Sequence, residues 1–248
     1  MTSDSSYLPR PLQVALASDP ARPRLTFYDD ATGERVELSA QSLAGWVIKT
    51  MNLLIDDLGV DEEAEVSLHL PLHWLTAVWV LAADATGASV TGTPGPAGTV
   101  EVTTATGLER FAVSSRPMAM PLGPDRPHGH RDFTADVRTQ PDQLVQPPDP
   151  SLLQDDHAGD RQLEPGERVA CQSDDAVTSV TLVRQGLLAP LAVDGSAVWT
   201  RNPDASLCVP RLRAEHVTAW LGPLPGLLPD QAGAPLPDPV RHLASSTP

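Results

Sequence analysis

Between residues 25 and 90 the chain switches between two hydrophobic periods in a fixed order, and that order limits its fold more than any other feature. LTFYD (25–29) alternates as a strand does, ATGE (31–34) supplies a turn, and RVEL (35–38) returns. Ser39 follows as a residue whose hydroxyl can accept the orphan N–H groups of a first helical turn. Leu43, Trp46, Val47, Met51, Leu54, Ile55 and Leu58 then recur in steps of three and four, which makes one buried stripe, and Gly59 ends the helix. Residues 65–70 read as the next strand. Pro71 blocks its continuation and opens a helix over 72–85, Thr86-Gly87 stops that helix, and 88–91 is a further strand. Strand, helix and strand in this order form a βαβ unit with parallel strands. Its helix is apolar on nearly every side, so it needs a sheet beneath it and a second cover above; failing cover from the rest of the chain, a second copy would have to supply it.

The rest is less regular. Residues 12–17 read as a short apolar helix, 99–103 as a strand, 107–113 as a short helix and 134–138 as a strand. Residues 146–161, rich in proline and aspartate, read as partly disordered. The layout of 65–91 then returns: strand 167–172, helix 176–191, stop at Asp194-Gly195, strand 196–200. A helix over 207–214 and a strand over 216–221 close the ordered part. The expected organisation is a lead-in (1–24), a first α/β subdomain (25–138), a linker (139–165), a smaller α/β subdomain (166–221) and a loose proline-rich tail (222–248). The fold class is α/β, a layered and mainly parallel sheet flanked by helices, in two related halves.

Composition narrows the function. A formal charge of −15 argues against nucleic acid or an anionic membrane as the main partner, because neutralising phosphates takes basic patches. Lys49 is the single lysine among 17 basic residues, so any mechanism needing two lysines is excluded. Cys171 and Cys208 lie far apart without CxxC spacing and read as buried free thiols. No basic start leads into an apolar run, and no apolar stretch reaches the roughly 18 residues that span a bilayer, so the expected address is the cytoplasm.

Tyr28 at a strand end, the helix after Ser39, residues 61–66, and Thr86-Gly87-Ala88 give a layout that resembles the opening of adenylate-forming enzymes: acyl-CoA synthetases, adenylation domains and luciferases. Leu188-Ala189-Pro190-Leu191, Gly195, Val198 and Val217-Thr218 resemble the part of those enzymes after the phosphate loop. The chain is similar above all to a bacterial family related to their N-terminal part. The resemblance implies the scaffold of their N-terminal subdomains, and ATP or AMP with Mg²⁺ as candidate cofactors. It does not extend to the chemistry. The nearest string to a phosphate loop, residues 91–98, has no lysine and two prolines that remove N–H donors. The Tyr-Gly-x-Thr-Glu segment, the ribose-binding aspartate and the catalytic lysine of a C-terminal domain have no counterpart here. Lys49 reads as a solvated surface lysine.

No catalytic residue or metal site is assigned. His69 and His73 are separated by Pro71 and do not share a helix face; His128, His130 and Asp155-Asp156-His157 read as solvated loop residues; Ser114, Ser115 and Ser173 lack an evident base. Ligands of parallel sheets sit at the carboxyl ends of the strands. Any pocket is therefore expected near His73, Trp74, Ser173, Asp174 and Asp175. The expected role is a degenerate, non-catalytic relative that binds a small molecule or a protein partner, as monomer or homodimer. The alternative is an acid-activating ligase whose site another chain completes.

Overall fold

The computed structural model describes residues 3–149, 151, 163–173, 180–222 and 238–243. Its elements are α1 (Arg10–Ser18), β1 (Pro23–Asp29), β2 (Glu34–Ser39), α2 (Ala40–Asn52), β3 (Glu65–His69), α3 (Trp74–Thr86), β4 (Ser89–Gly92), β5 (Thr99–Thr104), β6 (Gly107–Ala112), β7 (Arg131–Asp132), α4 (Phe133–Val137), β8 (Arg168–Ser173), α5 (Val180–Val183), α6 (Ala189–Ala192), β9 (Ser196–Arg201), α7 (Ala205–Ala214), β10 (Ala219–Leu221) and β11 (Arg241–Leu243). A turn of i→i+5 hydrogen bonds extends α2 over Leu53–Asp57, and another joins α5 to α6 over Arg184–Leu188. The expected helix 176–191 begins in residues outside the described ones.

Local signals set the helix ends. The Ser39 hydroxyl accepts from the Ser42 N–H at 3.1 Å. Gly59 and Gly87 follow their helices with φ of 66° and 81°. Two expectations are overturned. Residues 107–113 form a strand, not a helix. β6 returns antiparallel on β5 through a two-residue turn, with Arg110 paired to Glu101 at 2.9 Å and Phe111 buried beside Trp79. This cross-strand packing outweighs the helix preference of Leu-Glu-Arg. Residues 134–138 lie in a short helix, not a strand. The Asp132 carboxylate accepts from the N–H groups of Thr134 (3.1 Å) and Ala135 (3.2 Å), and Phe133 and Val137 bury one face.

The strands form two sheets, ordered β11-β10-β8-β9-β1-β2 and β4-β3-β5-β6-β7. In the first, every pair is parallel except the β1–β2 hairpin. The second is mixed: β3–β4 and β6–β7 are parallel, β3–β5 and β5–β6 antiparallel. The N-terminal hairpin does not join the βαβ unit that follows it. β1 pairs instead with β9, Phe27 opposite Trp199. Arg241–Leu243, within the tail expected to be loose, adds a parallel edge strand to β10.

All thirteen residues of α3 are buried. α2 and α5 pack on it, so the chain itself supplies the cover that its apolar surface demands. One continuous core runs from Phe27 and Trp199 through Leu43, Met51 and Leu75 to Trp79, Phe111 and Phe133, and so joins both sheets. A smaller cluster under α7 holds Cys208, Leu212 and Trp220. Both cysteines are free and buried, and burial pushes both thiols up. No described helix is long and apolar enough to cross a membrane.

Candidate functional site

The carboxyl ends of β3 and β9 meet at one cavity. β3 ends at His69 because Pro71, two residues on, has no N–H to continue the ladder. The chain then turns into α3. Thr76 Oγ1 donates to the Pro71 carbonyl at 2.7 Å, and His73 caps the helix by accepting the Leu75 N–H on Nδ1 at 3.1 Å. That bond fixes the tautomer of a neutral ring: Nδ1 accepts, so Nε2 carries the proton.

His73 is 4% exposed. Its ring stands edge-on to Phe27, with centroids 4.7 Å apart, and tilts against Trp74 at 5.5 Å. Burial, reinforced by the Arg201 charge, lowers its pKa to about 3. The imidazole therefore stays neutral at any ordinary pH. Its Nε2 is buried and has no hydrogen-bond partner among the described residues, an uncommon condition for a buried donor.

This imidazole lines a cavity of about 220 Å³ together with Leu70, Pro71, Thr76, Gly98, Ser114, Ser115 and Arg201. Arg201 ends β9 and lies 3.9 Å from Asp29, its register partner at the end of β1. Ser114 and Ser115 follow β6; the Ser114 hydroxyl accepts from the Arg116 N–H at 3.2 Å. The lining thus offers one guanidinium, a neutral N–H donor and seryl hydroxyls against an apolar floor. It suits a small anion. Among its described lining residues there is no carboxylate that could hold Mg²⁺.

The residues singled out in the sequence separate. His73 lines the cavity. Trp74, one step into α3, lies behind it and stacks edge-on with Trp46 at 5.1 Å. Ser173 ends β8 directly opposite Arg201, so it shares the same sheet edge one strand away without lining the cavity. Asp174 and Asp175 lie outside the described residues, as does Asp155-Asp156-His157. Arg201 was missed because the strand was expected to end at Thr200; one more residue of alternation would have put a cation at the carboxyl edge. Ser114 and Ser115 are brought to the cavity with His73, yet no hydroxyl bonds to Nε2.

The His69 ring bonds through Nδ1 to the Thr93 carbonyl at 2.6 Å, and Gly95 lies against that ring so closely that a Cβ would stand 2.3 Å from Nδ1. Among the described residues no three His, Cys, Asp or Glu side chains gather where a metal could bind. Lys49, expected to be solvated, is partly covered and pairs with Asp142 at 2.9 Å.

No family model matches the chain. Its fold is shared with acetoacetyl-CoA synthetase from Streptomyces lividans (TM-score 0.60, 14% identity, 88% of this chain and 42% of that one). It is shared also with an acyl-CoA synthetase of Brucella canis (TM-score 0.57, 12% identity, 85% and 47%). An artificially fused adenylation–carrier di-domain, NpsA-ThdA from Klebsiella oxytoca, gives a TM-score of 0.56 at 13% identity over 87% of this chain and 43% of that one. The chain thus spans less than half the length of each of these structures. In sequence it is 34% identical over 246 residues to a TIGR03089 family protein of Mycobacterium tuberculosis, covering 89% of this chain and all of that protein. With that identity across the whole relative, on the scaffold of adenylate-forming enzymes, the chain belongs to the TIGR03089 family.

Proposed function

We propose that this protein binds a small carboxylic acid in the His73–Arg201 cavity without activating it. One observation carries the reading: a buried Nε2–H, unpartnered among the described residues, in a cavity of about 220 Å³ that Arg201 also lines. A carboxylate would pair with Arg201 and accept from His73, and the apolar floor of Leu70, Pro71 and Val113 would take its hydrocarbon part. The volume lies below the roughly 300–1,000 Å³ typical of drug-sized ligand sites, which favours a small acid over a nucleotide. A histidine that titrates near 3 is a poor proton acceptor at neutral pH, which supports binding over acid–base chemistry.

Thermal unfolding with a panel of short carboxylic acids, ATP·Mg²⁺, AMP and coenzyme A tests this. A bound acid at a hundred times its dissociation constant adds about 2.7 kcal/mol, a rise of several degrees at this size. Arg201→Gln is expected to remove the shift. ATP-dependent release of pyrophosphate by the purified chain would overturn the reading. A second reading, an acid-activating ligase completed by another chain, draws on the fold shared with the Streptomyces synthetase. Co-purification of a lysine-bearing partner that confers pyrophosphate release on the mixture would favour it.

A further inference from the structure

On the outer side of α2 a groove of about 290 Å³ is lined by Ser42, Gly45, Trp46, Lys49, Arg138 and Asp142. Gly45 sits in the middle of α2, where glycine weakens a helix. Packing gives it no reason to be there: a Cβ built on it would meet nothing within 4 Å. Its effect is to leave the groove open beside Trp46. The Trp46 ring is held edge-on by Trp74, with planes at 71°, and forms a firm wall.

Two cations share this groove in a chain whose net charge is −15. Lys49 is paired with Asp142, whose side chain is 84% exposed. Arg138 donates from one nitrogen to the carbonyls of Met118 and Ala119, both at 3.1 Å, and has no carboxylate partner among the described residues. An anion could therefore take Arg138 directly and take Lys49 from a carboxylate that water would solvate well.

We propose that this groove is a second ligand site, separate from the His73 cavity, and that it takes a flat aromatic carboxylate. The ring lies on Trp46 over Gly45, and the carboxylate bridges Lys49 and Arg138 and displaces Asp142. Glycine over the ring, an aromatic wall and two converging cations are together what such a ligand needs.

The test is a titration of the ¹⁵N-labelled full chain with 2-naphthoate, followed by the indole N–H signals of its five tryptophans; Trp46→Phe assigns the Trp46 signal. The expected result is a saturable shift of that signal, with 2-naphthalenemethanol, the neutral analogue, at least about tenfold weaker. Lys49→Gln and Arg138→Gln should each weaken binding about tenfold, and Asp142→Asn should tighten it, since it removes the competing carboxylate. Gly45→Leu should abolish the shift while the chain remains folded, so the proposal does not depend on the stability of the charge variants. A Trp46 signal that does not move, or one that moves equally in Gly45→Leu, overturns the proposal. So does a shift confined to Trp74, which would place naphthoate in the His73 cavity and support that site alone.

Discussion

Arg184 reaches Asp84 with its guanidinium 2.5 Å from the carboxylate, and so ties the α5–α6 segment to the buried helix α3. Asp84 is 4% exposed and is the one charged residue of α3. A charge at that depth needs a partner more than it adds stability of its own. Arg184→Leu is therefore expected to destabilise the protein by about 2–3 kcal/mol, toward the low side for a buried pair because Arg184 is partly solvated. Adding Asp84→Leu to that variant should recover part of the loss. Chemical denaturation of both variants checks this, and a double variant less stable than Arg184→Leu would contradict it.

The buried His73 makes stability depend on pH in a definite sense. The unfolded side chain takes a proton near 6.5 and the folded one only near 3. Between these values the unfolded state binds more protons, so stability falls as pH drops, by up to about 1.4 kcal/mol per unit. Burial raises both Glu215 and Glu167, but hydrogen bonds from Tyr28 and Arg168 hold the first low and Arg241 holds the second low, so their contribution is intact above the ordinary carboxylate range and is lost at lower pH. His73→Asn keeps a capping side chain and removes the titration. Its stability should vary less than that of the parent between pH 6.5 and 4.5, as measured by urea unfolding at each pH; parallel curves would refute this.

Gly45→Ala should raise stability by about 0.5–1 kcal/mol, because alanine is the better residue within a helix and its methyl group enters open space. A thermal scan with a midpoint a few degrees higher is the expected reading. A lower midpoint would mean that the groove is narrower than its lining indicates.

Met118 has φ of 57° and is 78% exposed. A left-handed backbone at a non-glycine residue costs on the order of 1 kcal/mol. Hydrogen bonds keep it there: Glu34 accepts from its N–H at 3.1 Å, and Arg138 donates to its carbonyl. Met118→Gly retains these bonds and should stabilise the fold by about 0.5–1 kcal/mol. A loss on denaturant unfolding would show that the methionine side chain makes contacts outweighing the strain.

What the sequence made legible were features settled by neighbours. Ser39, Gly59 and Gly87 mark helix ends because capping involves groups within a few residues. The apolar surface of α3 announced a doubly covered helix, and the structure provides the cover. Residues 107–113 and 134–138 were misread because their propensities compete with distant or subtle partners: Glu101 and Trp79 for the first, the Asp132 carboxylate for the second. At the candidate site, the rule that ligands sit at carboxyl strand edges points to His73, which lines the cavity. It could not separate His73, the extended cap residue that lines the cavity, from Trp74, the first residue of α3, nor could it supply Arg201. That residue reaches the cavity only because β9 pairs with β1 and brings its end beside the second sheet.

The pairing of β1 with β9 also bears on how the protein comes to be made. Phe27 leaves the ribosome well before Trp199, so the hairpin must wait, with one strand edge unmatched, until about 170 further residues have been synthesised. Such delayed closure slows folding and leaves an adhesive edge exposed in the meantime. Truncated products that end before residue 196 would carry that edge permanently, which makes them candidates for chaperone capture or self-association.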